Sequence, residues 1–154
     1  MGKEVPSGRP FRLLRMMHAQ GRPETIYTMQ VKQSELAKQL EISRQALNVH
    51  LRKLRDLGCI RTGRGFIDVT EDGLKALGVS VNPAFIFLKI SPLKREEAYR
   101  KMSNFPIQRI FRVAGDMDAM LLVEQDRLNE TLRKLALLEG IQETKSYVTI
   151  QTLK

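Results

Sequence analysis

The 154-residue chain has no tryptophan, one cysteine and two histidines. A single thiol, Cys59, excludes an internal disulfide and a CxxC metal clip. His18 and His50 lie too far apart in sequence to read as a spaced zinc pair. No apolar run approaches the roughly 18 residues needed to cross a bilayer. The start, Met1-Gly2-Lys3-Glu4-Val5-Pro6, lacks the apolar stretch of a secretory signal. Acidic residues are also short: 17 Asp and Glu stand against 26 Lys and Arg, a formal net charge of +9. These scarcities exclude a membrane protein and a disulfide scaffold, and they argue against a zinc protein.

What is present is ordinary for a globular chain, 42% hydrophobic and 28% charged, and long enough for one medium domain or two small ones. The expectation is an intracellular, cytoplasmic protein without a cofactor that attracts anions. Nucleic acid is the leading partner, although excess charge alone also serves solubility.

Composition shifts near Val79-Ser80-Val81-Asn82-Pro83. Residues 1–82 hold 14 basic and 8 acidic side chains, and residues 83–154 hold 12 and 9. Two-thirds of the excess charge therefore lies in the first half. The reading divides the chain into a Pro/Gly-rich mobile tip (1–10), a first and more basic domain (11–78), a linker (79–83) and a second domain (84–154).

In the first half, Phe11, Leu13, Leu14, Met16 and Met17 predict an apolar helix ended by Gln20-Gly21-Arg22-Pro23. A short extended piece follows at 26–31. Residues 34–40 predict a short helix, and Glu41-Ile42 a tight break. Ser43 suits an N-cap, because its hydroxyl can accept a free amide of the next helix. That helix runs to about Leu57, with Gly58 closing it. Leu47, Leu51 and Leu54 recur at i, i+4, i+7 and predict one buried stripe. Gln45, Asn48, Val49 and Arg52 then point outward. Gln and Asn can pair bidentately with adenine, and Arg with guanine or phosphate. Arg44 stands in the first turn, where free amides and the helix dipole favour phosphate. Residues 59–62, the turn Gly63-Arg64-Gly65, and residues 66–70 predict a hairpin with Arg61 and Arg64 near its tip, and Thr70 suits the cap of a last helix ending at Gly78. Each basic residue alone is more simply a solvated face. The ordered combination of break, cap, stripe, polar face and basic hairpin describes a winged helix-turn-helix.

The segments 34–40, 42–47 and 51–54, with Gly63-Arg64-Gly65-Phe66-Ile67, resemble the winged helix-turn-helix of the Crp/Fnr and MarR regulators. That resemblance places Ser43, Arg44, Gln45 and Val49 at the DNA-facing start of the second helix. Val49 departs from the Arg common there in Crp/Fnr proteins, and an apolar contact with a thymine methyl replaces it. Lys32 stands where that family often has a capping Thr.

The second half alternates: a strand at 84–90, a helix opened by Ser91-Pro92 and running to about Met102, strands at 107–113 and 119–124, a helix capped by Asp126 and stopped at Gly140, and a last strand marked by Tyr147, Val148, Ile150 and Leu153. The order βαββαβ is the ferredoxin-like arrangement, so the fold class is α+β. The turn Gly115-Asp116-Met117-Asp118 carries two carboxylates able to hold an ammonium or a metal, although alone such a turn is more often just a turn.

The run 110–118, then Leu138-Glu139-Gly140-Ile141 and Thr144-Lys145-Ser146-Tyr147-Val148, resembles the effector (RAM) domain of the Lrp/AsnC transcription regulators over about residues 82–154. The first half departs from that family in its length and its Crp-like wing. The resemblance implies dimers that pair their sheets, assembly into larger even-numbered homo-oligomers, and an amino-acid effector near the turn. Gly115, Asp116, Met117 and Asp118 would line that site, with Thr144 and Ser146 from a neighbouring chain. The expected function is a sequence-specific transcription regulator on double-stranded DNA. The alternative is an architectural, nucleoid-type DNA binder whose second domain only assembles. No nucleophile–base pair, phosphate loop or metal cluster favours an enzyme, and Cys59 reads as a small buried residue.

Overall fold

The computed structural model describes residues 4–154. The chain divides into two compact units, the first ending at Glu71 and the second beginning at Asp72.

The first unit begins with α1 (Gly8–Gln20). The helix starts inside the stretch expected to be an irregular tip: only residues 4–7 of it lack regular structure, and residues 1–3 lie outside the described residues. At its end the Gly21 amide donates to the Met17 carbonyl at 2.8 Å. Then come β1 (Tyr27–Gln30), α2 (Gln33–Gln39), α3 (Arg44–Asp56), β2 (Ile60–Gly63) and β3 (Phe66–Val69). The three strands pair antiparallel in the order β1-β3-β2.

The break between α2 and α3 is short because its backbone is nearly all used. The Ile42 amide donates back to Ala37 at 3.1 Å, Glu41 takes a left-handed φ of 55°, and the Ser43 hydroxyl accepts the Ala46 amide at 3.1 Å. Val31, Ala37, Leu47, Leu51, Ile60 and Ile67 form the core of this unit. Cys59 packs at its edge, half-buried rather than buried.

The stripe on α3 is covered only in part. Leu47 is 2% exposed and Leu51 is buried, but Leu54 is 40% exposed.

The helix α4 (Glu71–Ala76) falls where the units divide, and the Thr70 hydroxyl just before it donates to the Gly58 carbonyl. The second unit continues with β4 (Pro83–Ile90), a 3-10 turn over Pro92–Lys94, α5 (Arg95–Met102), β5 (Arg109–Arg112), β6 (Ala119–Glu124), a 3-10 turn over Gln125–Arg127, α6 (Leu128–Ala136) and β7 (Ile141–Val148). The sheet order is β5-β6-β4-β7, all antiparallel, which is the ferredoxin-like arrangement.

Three expectations need correction here. Asp126 does not cap α6: it lies within the 3-10 turn, and Arg127 holds the cap position with no side-chain capping bond. The last strand ends at Val148, so Ile150 and Leu153 lie beyond it and are exposed. Strand β5 is shorter than 107–113.

Ile86, Leu88 and Ile90 alternate onto one face of β4 and are buried with Leu121, Val123, Ala98, Met102 and Leu135. Full burial of each large aliphatic side chain stabilises by about 1.5–3 kcal/mol. The intervening Phe85 and Phe87 face the other side and remain half-buried.

Leu47→Ala is expected to lower the stability of the first unit by about 2–5 kcal/mol, and Ser43→Ala by about 1 kcal/mol. Hydrogen exchange of the α3 amides checks both. Equal effects would contradict the assignment of core and cap.

Candidate nucleic-acid interface and sheet-face groove

Helix α3 presents Arg44, Gln45, Asn48, Val49 and Arg52 to solvent, opposite Leu47 and Leu51. His50 is exposed on the same helix. Ser43 stands at its start with its hydroxyl committed to the cap, so its part is to shape the helix N-terminus. Among the described residues, Arg44, Arg52 and Arg64 make no ion pair, and their charge is available to an anion.

The wing is built by close approach. Gly63 pairs with Phe66 across the hairpin, leaving Arg64 and Gly65 as a two-residue loop. Gly65 has a φ of 81°, which a side chain would oppose. A Cβ on Gly63 would lie 2.2 Å from the Phe66 ring, so a side chain there would require that ring to move. Arg64 is thereby held exposed at the tip. Arg61 is not at the tip. It lies on β2 opposite Asp68, and its guanidinium contacts Glu24 at 3.4 Å. Glu24 comes from 37 residues upstream, a partner that no local pattern announces. Arg55, which sequence reasoning passed over, donates to the Thr62 hydroxyl at 2.9 Å and ties α3 to the wing.

The second candidate lies on the helix-free face of the β5-β6-β4-β7 sheet. An open groove of about 570 Å³ is lined by Phe85, Phe87, Asp116, Met117, Met120, Lys145 and Tyr147. The Phe87 and Tyr147 rings meet edge to face at 5.8 Å. Gly115, with φ at 133°, lets the chain turn between β5 and β6 and brings Asp116 and Met117 to the rim. Lys145 bonds to Glu143 at 3.0 Å, and that hydrogen bond and charge raise its pKa from the ordinary lysine value, so the groove's cation is one that Glu143 shares.

The two carboxylates of the turn do different work. Asp118 accepts from Arg95 at 2.6 Å on one oxygen and from the Ile90 amide at 2.8 Å on the other. Both of its oxygens are bonded within the fold. Asp116 is exposed at the groove. Strand pairing also separates the six expected effector residues. Thr144 pairs with Leu88 and Ser146 with Ile86, so their side chains share the parity of the helix-covered face. Lys145 and Tyr147 pair with Phe87 and Phe85 and share the groove. Gly115, Asp116 and Met117 are together in one chain, whereas Thr144 and Ser146 are not with them. Period-two alternation along β7 was the available signal for Lys145 and Tyr147.

Residues 11–77 match the model of the Crp-like helix-turn-helix domain. No curated protein matches the chain by sequence. Among solved structures, AsnC of E. coli superposes with a TM-score of 0.50 at 22% identity, covering 92% of this chain and 90% of that one. A transcriptional regulator of Neisseria meningitidis, solved as a complex with L-Met, gives 0.53 at 18% identity, covering 97% and 93%. The chain has the fold of the Lrp/AsnC regulators. The helix-turn-helix match supports a DNA-binding domain over residues 11–77. The Lrp/AsnC-type fold therefore carries a Crp-like helix-turn-helix at its N-terminal end. Among the described residues, no helix is long and apolar enough to cross a membrane, and no group of three or more His, Cys, Asp or Glu could hold a metal.

Asp118→Ala is expected to lower the stability of the second unit by about 1–3 kcal/mol, because Arg95 and the Ile90 amide lose their acceptor. Asp116→Ala at the rim should change it by less than about 0.5 kcal/mol. Urea unfolding checks the pair, and the reverse ranking would contradict the division of roles.

Proposed function

We propose that the chain is a sequence-specific transcription regulator that reads double-stranded DNA with α3 and the wing, and senses an amino acid at the sheet-face groove. The observation that carries the DNA reading is the outward face of α3. It is a row of Arg44, Gln45, Asn48, Val49 and Arg52 on a helix whose N-terminus is capped and open to solvent. Laid in a major groove, Gln45 and Asn48 read base edges, Val49 meets a thymine methyl, and Arg44 and Arg52 reach guanine or phosphate. Arg64 follows a phosphate ridge or minor groove from the wing. Arg61 contributes weakly, because Glu24 shares its charge.

Residues 11–78 are the DNA-binding domain in this reading, and residues 84–154 the effector and assembly domain. Two copies pair through the helix-free sheet face, where Phe85, Phe87, Phe111 and Leu122 lie half-buried. The groove suits an amino acid with an apolar side chain, as methionine is. Asp116 takes the α-ammonium, Lys145 and turn amides hold the α-carboxylate, and Phe85, Met117 and Met120 receive the side chain. Thr144 and Ser146, on the other side of β7, would reach such a site only from a further copy outside this pair. Asp118 serves it by fixing the turn.

Fluorescence anisotropy on genomic fragments tests the DNA reading. The triple variant Arg44→Ala, Arg52→Ala, Arg64→Ala should lose specific binding, with a salt slope reduced by about three. Asn48→Ala should cost about 1–3 kcal/mol at its own site and relax base preference there. Binding equal for all fragments would instead indicate the architectural role. Calorimetry with amino acids tests the groove: wild type should bind one with an apolar side chain, and Asp116→Ala should lose that binding. No heat with any amino acid would remove the sensing role.

A further inference from the structure

The turn between β5 and β6 is gripped at one end and open at the other. At Gly115 nothing lies within 4 Å of the place a Cβ would take, so packing does not wedge that end. At Asp118 every hydrogen-bonding group of the residue is engaged. Its amide donates to the Leu88 carbonyl at 2.8 Å, and its carbonyl accepts the Val113 amide at 3.1 Å. One carboxylate oxygen accepts the Arg95 guanidinium at 2.6 Å and the other the Ile90 amide at 2.8 Å. The Tyr99 hydroxyl donates to the Asp118 carbonyl at 3.3 Å.

These partners stand where the regular ladders stop. Pairing of β4 with β6 ends at Leu88 and Ala119, and pairing of β4 with β7 shifts register between Lys89 and Ile90. The Ile90 amide lies past the last pair of the β6 ladder, and the Asp118 carboxylate satisfies it. Arg95 and Tyr99 are one helical turn apart on α5, so they reach Asp118 from the same helix face. Arg95 is also the first residue of α5, an end where the helix dipole disfavours a cation, so helix formation does not account for a positive charge there. The Arg95 and Asp118 side chains are only 24% and 23% exposed, and solvent screens their pair less than it screens a surface pair. The Arg95 Nε is buried without an acceptor among the described residues. A lysine ammonium in its place would leave no such orphan donor.

We propose that Arg95 is a positioning residue for the effector groove, seconded by Tyr99: holding Asp118 from α5, they fix where the turn carries Asp116 and Met117 to the rim. The role rests on the amino-acid reading of that groove. Met117 is the neighbour of Asp118 and Asp116 is next in line, so a shift of Asp118 passes to both through the backbone. An amino acid spanning Asp116 and Lys145 needs those two charges at a set separation. A loose turn would have to be ordered on binding, at a cost in affinity. Neither Arg95 nor Tyr99 lines the groove. Removing the Arg95 charge would by itself favour an ammonium at Asp116, so weaker binding in a neutral variant reports position and not charge.

Calorimetry on the full chain with L-methionine, L-leucine and L-phenylalanine as probes tests the role. The wild type should bind at least one of them. For that probe, Arg95→Met should raise Kd about tenfold or more. Arg95→Lys keeps a cation for Asp118 and should stay within about threefold of the wild type. Arg95→Met binding as tightly as the wild type or tighter, or Arg95→Lys losing as much as Arg95→Met, overturns the positioning role and leaves amino-acid sensing standing. No heat from the wild type with any of the probes removes the sensing reading, and this role with it. Hydrogen exchange without amino acid is the second measurement. In Arg95→Met the Val113 and Asp118 amides should speed up by a larger factor than those of Leu121 and Val123 in the core, and an equal factor overturns the proposal. If Arg95→Met does not fold, Tyr99→Phe removes only the hydroxyl bond: its Kd should rise about threefold, and an unchanged Kd overturns the proposal.

Discussion

Burial of apolar surface is the constraint on which the rest of this structure depends. Each unit has a well-packed core, yet each makes more apolar surface than one copy can cover. In the second unit, helices α5 and α6 cover one face of the sheet, where Ile86, Leu88 and Ile90 are buried. The alternate residues Phe85 and Phe87 stay half-buried on the other face. In the first unit, Leu54 at the end of the α3 stripe is 40% exposed, and α1 buries none of its residues. Contiguous apolar surface of this kind marks an interaction site in a soluble protein. In the reading proposed above a second copy covers the sheet face, and a symmetric pair is also what a DNA-reading helix uses to span two half-sites.

Polar groups then decide what each unit presents. The Ser43 cap and the left-handed Glu41 make the α2–α3 break short and set the start of α3. The tight Gly63–Phe66 approach sets the wing and its arginine. In the second unit, Asp118 is consumed by Arg95 and the Ile90 amide, which frees Asp116 to be the carboxylate at the groove. The surplus of basic residues is unequal in effect: Arg64 and Arg52 are available to an anion, whereas Glu24 shares the charge of Arg61.

Much of this was legible in sequence because local rules governed it. The Ser43 cap, the closing Gly58, the break at Glu41 and the order βαββαβ each depend on residues within a few positions of one another. What sequence concealed depends on distant partners. Nothing near Arg61 announces Glu24, and nothing near Asp118 announces Arg95. The 40% exposure of Leu54 is likewise not announced by its i, i+4, i+7 spacing from Leu47 and Leu51, because periodicity does not say what packs against the stripe. The parity of Thr144 and Ser146 against Lys145 and Tyr147 follows from pairing with β4. The expected cap at Asp126 failed because a 3-10 turn occupies the approach to α6.

The central claim is that the chain reads DNA as a pair of copies joined in part by the helix-free sheet face. Hydroxyl-radical footprinting of the full chain on its highest-affinity fragment, run beside sedimentation of the same sample, tests it most directly. The account predicts two protected half-sites, about one helical turn or a multiple of it apart, from a species of at least two copies. Phe85→Lys with Phe87→Lys should weaken both the association and the paired footprint while leaving α3 folded. A single protected half-site bound by one copy of the wild-type chain would contradict it.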